Sequence, residues 1–516
     1  MRVLAFAALR LAAGGPDVVY LLADDMRADW GAYGLETAQT PHFDALAKDA
    51  LLFANAYCQI SVCSPSRQSF LHSLRPDTFR VWNFLDANPL SAPTTPGWFR
   101  DHGYLALGLG KTFHEKRGAW NADAIFNTSF LPYYLYEDNE CVGSRAGEGG
   151  GHCVLADEDI YDYRLRLKTL DYLDAAVEHK RDTSTPFFLL CGFRDPHAPW
   201  VAPKRMYDLY TKGVLPPLHD TLAPGVPLIS WSNELDVLAN DTSYAYGPYK
   251  AVPKAVQLDQ RLAYYAAVSY VDEHVGAVVQ KLKTLGLYES TLLVSHSDHG
   301  YLLGEHGLWE KKSNFDLAVR VPLLIKAPGK AFGKTHAILE LVDVFPTLSN
   351  LAGLPPPPGV EGSDVSSLFD ESLFDSGATS LDTGGAGKRA AYHQYPACST
   401  PSFNSTRAQC NEVPRAAFDF MAYSVRTADW RYTLWLPWDG SKLEPIWDGG
   451  KLEPIWDGSK LEPIWEGGKF ADELYDHASD DSTSMDRFEN ANVASRHADV
   501  SLRLRNQLRD FFASQT

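Results

Sequence analysis

The sequence has no apolar run approaching the roughly 20 residues needed to span a membrane. It is also short of positive charge: 47 basic against 65 acidic residues leave a net charge of −18. That argues against a nucleic-acid partner, which calls for a basic face. It also means that an anionic substrate must find a locally positive pocket in an acidic molecule. Cysteine is scarce and odd in number, seven in 516 residues, so at least one thiol is left out of any pairing within the chain. What is plentiful is core material. Apolar residues make up 45% of the chain, and its length calls for two domains, one large and one small.

Four of the cysteines lie in two pairs. Cys141 and Cys153 flank "VGSRAGEGGGH", and Cys398 and Cys410 flank "STPSFNSTRAQ". Each pair closes a short polar loop, which suits a local disulfide and an oxidising, secretory compartment, lysosomal or extracellular. Four free loop thiols are the alternative. Cys191, in "PFFLLCGF", reads as a buried strand residue. Cys58 stays open, and Cys63 is the thiol that needs explaining. Sequons at Asn127, Asn240 and Asn404 carry little weight in a chain of this size. The start, "MRVLAFAALRLAAGG" (1–15), reads equally as a weak leader, interrupted by Arg10, and as a first strand or disordered start.

Four continuous apolar runs read as strands covered on both faces. They are "DVVYLLA" (Asp17 to Ala23), "YLALGLG" (Tyr104 to Gly110), "PFFLLCGF" (Pro186 to Phe193) and "TLLVSHS" (Thr291 to Ser297). A helical face runs between them from Ala263, through Val268, Val271, Val275, Val278 and Leu282, to a stop at Gly286. Such alternation predicts an α/β domain with a mostly parallel central sheet flanked by helices. Each strand ends in side chains able to carry charge or hold a metal. Asp24 and Asp25 follow the first, Lys111 and His114 the second, His197 the third, and Asp298 and His299 the fourth. Ligands of such sheets bind at the carboxyl ends of the strands, so residues scattered along the chain can meet in one cleft.

This large domain is expected over 16–351. A Pro/Gly/Ser-rich linker follows over 352–388. A small α+β domain with an antiparallel sheet is expected over 389–516. It contains a nine-residue repeat over 439–465, "DGSKLEPIW" and its copies. Three such short units are too few for a solenoid, so the repeat reads as one lengthened exposed hairpin; a sugar-stacking ladder of Trp is the alternative.

Cys63 opens "CSPSRQSF", whose Ser-Pro suits the start of a helix. The cysteine therefore sits where free amides and the helix dipole favour anions. Composition alone yields about 0.04 matches to Cys-x-Pro-x-Lys/Arg by chance in this chain. The pattern Cys63-Ser64-Pro65-Ser66-Arg67 resembles the modification motif of the type I, formylglycine-dependent sulfatases of the alkaline phosphatase superfamily. Its companions follow in family order: "LLADDMR", "GKTFH", "RDPHAPW" and "SDHGYLLGEHGLWEKKSNFD". Within that family, "RPDTFRVWNF", "LLGEHGLWEKKSNFD" and "YSVRTADWRYTLW" are similar to the iduronate-2-sulfatase branch.

The resemblance implies a sulfuric ester hydrolase acting on a sulfated sugar of the uronate 2-O-sulfate type, as in glycosaminoglycans and other sulfated polysaccharides. Cys63 would be converted to formylglycine by a formylglycine-generating enzyme. Asp24, Asp25 and Asp298 would hold Ca²⁺, or Mg²⁺, together with the converted Cys63. His299 would either join that shell or face the sulfate. Arg67, Lys111 and Lys311 would neutralise the sulfuryl oxygens. Asp298 would serve as base, His197 or Lys311 as acid, and His114 as the base that releases sulfate. His197, Tyr301 and Lys311 would face the substrate, although the branch carries Trp where Tyr301 stands. Two rivals remain: a phosphatase or phosphonate monoester hydrolase of the same superfamily, and an inactive carbohydrate-binding relative.

Overall fold

The computed structural model describes residues 14–35, 37–85, 92–114, 120–135, 137, 152–210, 213–217, 219–231, 247–330, 332–370, 387–398, 410, 413–447, 471–478 and 489–513. The apolar runs form the strands Asp17–Ala23, Leu105–Gly110, Phe187–Gly192 and Thr291–Ser297, and every residue in them is buried. Both faces are covered, which is why the runs do not alternate with polar residues. Val19 and Leu21 pack among residues of the helices Tyr161–Thr183 and Lys254–Thr284. Val18, Tyr20 and Leu22 point the other way, toward the helices Cys63–His72 and Val344–Leu351.

These four strands lie parallel, in the order Leu105–Gly110, Phe187–Gly192, Asp17–Ala23, Thr291–Ser297. Leu323–Lys326 comes next and runs antiparallel to its neighbours. Leu51–Tyr57 restores the common direction, and Gly333–Glu340 pairs parallel to it at the edge. The short Arg320–Val321 also pairs with Leu51–Tyr57, antiparallel. Six of the eight strands therefore end on one edge. The α/β architecture is the one that the alternation predicts.

The long helix begins at Lys254, behind Pro253, nine residues before the apolar stripe shows it. Its first turns bury polar residues instead: Gln257 donates to the Val252 carbonyl at 2.7 Å, and Arg261 to Glu305 at 2.9 Å. Periodicity of apolar residues cannot reveal such turns. At the far end, Gly286 takes the left-handed conformation (φ 69°) expected of a helix stop.

A second, antiparallel sheet contains Ala391–Ala397, Phe420–Arg426, Trp430–Asp439 and Glu444–Pro445, with Asp472–Asp476 also on Trp430–Asp439. The helix Ala498–Ala513 covers it through Leu504, Leu508 and Phe512. Ile60, Val62 and Trp82 join the same core, so this sheet abuts the loop that leads into Cys63.

The first repeat copy turns at Asp439–Gly440 and pairs back, Asp439 against Glu444; the copies beyond Trp447 lie outside the described residues. Of 352–388, residues 371–386 lie outside them as well, while Leu368 and Phe369 are buried in the main core. Cys398 and Cys410 form a disulfide. Cys153 is disulfide-bonded too, and Cys141 lies outside the described residues, as do residues 1–13, Asn240 and Asn404. Asn127 is described, and its Oδ1 accepts from the Ala106 amide at 2.8 Å. Cys58, Cys63 and Cys191 are free and buried. No described helix is long and apolar enough to cross a membrane.

Candidate active site

The shared strand edge gathers the loops, and ladder-like bonds continue past the strand ends to hold them together. The Asp24 amide donates to the Asp195 carbonyl at 3.3 Å, Asp298 to Ala23 at 3.4 Å, and Lys111 to Gly192 at 2.7 Å. The last contact explains a glycine. A Cβ on Gly192 would stand 2.1 Å from the Lys111 carbonyl oxygen, so only glycine lets the two loops approach.

Cys63 is the first residue of its helix, behind Val62, and is fully buried. Its Sγ lies 3.3 Å from His299 Nε2, 3.4 Å from Asp24 Oδ1 and 4.0 Å from Asp25 Oδ1. One turn on, Arg67 sends Nε to Asp298 Oδ2 at 3.0 Å and Nη2 to within 3.4 Å of Asp24. Its Nη1 donates to the Lys111 carbonyl. The Lys111 ammonium pairs with Asp24, and Lys311 Nζ with both oxygens of Asp25, at 2.8 and 2.9 Å. Three acids thus face three bases, and all six side chains are buried.

The charge balance is uneasy. Lys111, Arg67, His197 and Lys311 together overcome burial and hold the Asp24 carboxyl well below its usual range. Burial, joined by the Asp24 and Asp298 charges, pushes Asp25 well up in spite of Lys311. Burial and Asp24 push the Cys63 thiol well up, so unmodified Cys63 is a poor thiolate nucleophile. Burial first, then Lys111 and Lys311, holds His197 well below its ordinary range; burial likewise lowers His299.

Both histidines present the same atom. His299 Nδ1 donates to the Gly300 carbonyl at 2.9 Å, and His197 Nδ1 to that of Ala198 at 2.6 Å. A carbonyl can only accept, so each neutral ring turns a bare Nε2 elsewhere. His114 stacks on Phe84, ring centroids 4.5 Å apart, and burial followed by Lys111 lowers it to about 3. His114 and His197 are only half-buried, unlike the rest of the cluster, and so mark its open side.

The donor set fits a hard divalent cation. Asp24, Cys63, Asp298 and His299 each offer a ligand atom within 4.8 Å of the others, and so do Asp24, Asp25, Cys63 and His197. Three crowded carboxylates, one of them driven toward its neutral form, are what Ca²⁺ or Mg²⁺ would relieve. Among the described residues a further buried group, Asp316, His477 and Glu489, has similar spacing. There Arg426 and Arg431 already pair with the carboxylates, so it reads as a structural ion cluster.

The structure thus brings Asp24, Asp25, Cys63, Arg67, Lys111, His197, Asp298, His299 and Lys311 together, with His114 at the rim. Tyr301 is placed elsewhere. It is fully buried, its hydroxyl donates to the Trp309 carbonyl at 3.1 Å, and its ring packs on Tyr264 and Trp200.

Residues 16–354 match the family described as Sulfatase. The chain belongs to the sulfatase family. It is 33% identical over 482 residues to iduronate 2-sulfatase of Mus musculus, covering 83% of this chain and 86% of that protein. Against iduronate 2-sulfatase of Homo sapiens the identity is 32% over 479 residues, covering 81% and 85%. In fold, it superposes on a phosphonate monoester hydrolase from Silicibacter pomeroyi with a TM-score of 0.68 at 22% identity, covering 97% and 96% of the two chains.

Some parts of this candidate site have no label in the sequence. Asp25 is a non-glycine residue at φ 64°, a left-handed conformation that costs free energy. Tyr264, from the long helix, holds it: the hydroxyl donates to the Asp25 carbonyl at 2.8 Å and accepts from the Arg27 amide at 2.9 Å. Ser297 accepts from the Met26 amide at 2.8 Å, and Ser66 donates to the Asp298 carbonyl at 2.6 Å. Ser66 lies within the cysteine motif, where it could have been suspected; nothing marks Tyr264.

Proposed function

We propose that the chain hydrolyses sulfate esters of an acidic sugar, uronate 2-O-sulfate in the first place. It would do so with formylglycine made from Cys63 and a Ca²⁺ or Mg²⁺ ion held by Asp24, Asp25 and Asp298. The observation that supports this most is the setting of position 63. It opens a buried helix, 3.3 Å from a bare His299 Nε2 and beside three carboxylates, three basic side chains and two neutral histidines. Oxidised and hydrated, position 63 would supply two hydroxyls on one carbon, one to attack sulfur and one to let sulfate go. The cation would supply Lewis acidity and an anchor for a sulfate oxygen.

The surrounding side chains divide the remaining work. With its three acids and three bases balanced, the cluster becomes net positive only once the cation is added, which suits an anionic ester. Arg67, Lys111 and Lys311 face the oxygens on which charge builds. Asp298 is fully engaged, by Arg67 on one oxygen and by the Asp25 and His299 amides, at 3.2 and 3.0 Å, on the other. We therefore give the attacking proton to His299 Nε2. Lys311 gives the proton to the leaving alcohol oxygen as the S–O bond breaks, because His197 is held neutral. His114, neutral at the rim, takes the proton when sulfate is released. The Cys398–Cys410 disulfide supports a secretory compartment, where a formylglycine-generating enzyme would act as maturation partner.

The test measures release from aryl sulfate and aryl phosphate side by side, for the wild type and for Cys63→Ala. The expected result is sulfate release by the wild type alone, with phosphate release far slower and the variant folded but inactive. Faster phosphate release would favour the phosphatase reading, and full turnover by the variant would overturn the role of position 63.

A further inference from the structure

A narrow cleft lies between the segment that follows Lys311 and the antiparallel sheet. Its walls include Lys312, Asn314, Tyr395, Arg431, Trp435 and Glu473. It adjoins the active site through the chain. Lys312 is the next residue after Lys311, and Ser313 is tied to the loop before Cys63. Ser61 Oγ donates to the Ser313 carbonyl at 2.6 Å and accepts from its amide at 3.1 Å.

Two buried side chains on these walls have unused hydrogen-bonding capacity. Asn314 is 5% exposed, and neither its Oδ1 nor its Nδ2 has a partner. Arg431 is 1% exposed; Nε meets Glu489 and Nη1 meets Thr433 Oγ1 at 2.6 Å, but Nη2 has no hydrogen-bond partner. Buried polar groups are nearly always hydrogen-bonded, so two exceptions on one cleft point to something that fills it. The free donors match an oxyanion, and Lys312, whose ammonium lies 3.9 Å from Glu310, adds positive charge to the same wall. Glu473, a carboxylate on the same wall, is already occupied. One oxygen accepts from Ser230 and from Trp435 Nε1 at 2.8 Å, the other from the Tyr475 hydroxyl at 2.6 Å. The space measures about 30 Å³, room for two or three water-sized groups. That is the size of a carboxylate, not of a sugar ring.

We infer that this cleft binds a carboxylate of the sulfated saccharide, an anchor separate from the sulfate centre and partly built by the C-terminal sheet. The inference rests on the sulfatase reading above. It gives that sheet a part in choosing the substrate.

Three substrates test it: a neutral aryl sulfate, a sulfated disaccharide containing a uronate, and the same disaccharide with its carboxyl reduced to an alcohol. For the wild type, kcat/KM should favour the carboxylated over the reduced disaccharide by about tenfold or more, mainly through KM, as one charge-assisted contact is lost. In Lys312→Gln and Asn314→Ala that preference should collapse toward one, with aryl sulfate turnover unchanged. A wild type without the preference, or variants that keep it, would overturn the inference and leave water alone in the cleft. So would an equal loss on all three substrates, which marks a structural role. If the wild type releases sulfate from none of them, the sulfatase reading itself fails.

Discussion

Two buried clusters of charge sit on the same edge of the main sheet, and they are built on opposite lines. At the end of Gly333–Glu340, the Glu340 carboxylate is fully partnered. One oxygen accepts from Arg75 at 2.6 Å and from Lys388 at 2.7 Å, the other from the Tyr392 amide at 2.9 Å. Arg75 and Lys388 outweigh burial and hold Glu340 far below its usual range. Around Cys63 three bases face three carboxylates, and burial with the neighbouring carboxylates pushes Asp25 well up. The first cluster is complete and ties the strand end to the start of the second sheet. The second is the one whose carboxylates the proposed cation would bridge. Both are dry and charged, so burial of charge does not separate function from structure; the degree of mutual satisfaction does.

That contrast can be broken by mutation. Asp298→Asn should lower turnover and the affinity for Ca²⁺ together, by roughly 100-fold or more. Elemental analysis after dialysis checks it, and unchanged metal content would remove Asp298 from the ligand set. Glu340→Gln should do the reverse. It leaves Arg75 without its carboxylate and Lys388 with Asp343 alone, at 2.6 Å, and denaturant unfolding should show a loss of about 3–5 kcal/mol with kcat and metal content unchanged. A fall in metal content would show that the two clusters are one.

The smallest expected effect depends on pH. His296, two residues before Asp298, accepts from the Tyr20 hydroxyl at 2.5 Å, and burial lowers it to about 3. The unfolded chain binds a proton at this residue near pH 6.5, whereas the folded chain does not until about 3. Its presence therefore costs stability as pH falls from 6.5 toward 3. Relative to His296→Gln, the wild type should lose about 2–3 kcal/mol between pH 7 and 4.5. A difference that stays constant with pH would mean the folded histidine titrates normally.

The sequence shows the parallel strands clearly, because burial on both faces writes them as unbroken apolar runs. It shows part of the cluster as well, because each strand ends in its own chemical side chain, whereas Cys63, Arg67 and Lys311 follow none of these strands and are found through the motifs that carry the family resemblance. It hides Leu323–Lys326, four residues long and indistinguishable from any short apolar run. It hides the first turns of the long helix, whose buried side chains are polar. Tyr264, Asn314 and Arg431 are hidden for another reason. Their partners, or the cleft walls they share, come from segments over 100 residues away, and such pairings exist only after folding. The Tyr at 301 marks a departure in sequence whose meaning needed the structure: the side chain packs inward.

The most direct measurement is the mass of the peptide carrying position 63, taken from material whose sulfate release has been assayed. The account predicts a species lighter than the cysteine peptide and reactive toward hydrazide, in proportion to activity. Fully active enzyme with an intact Cys63 thiol would contradict it.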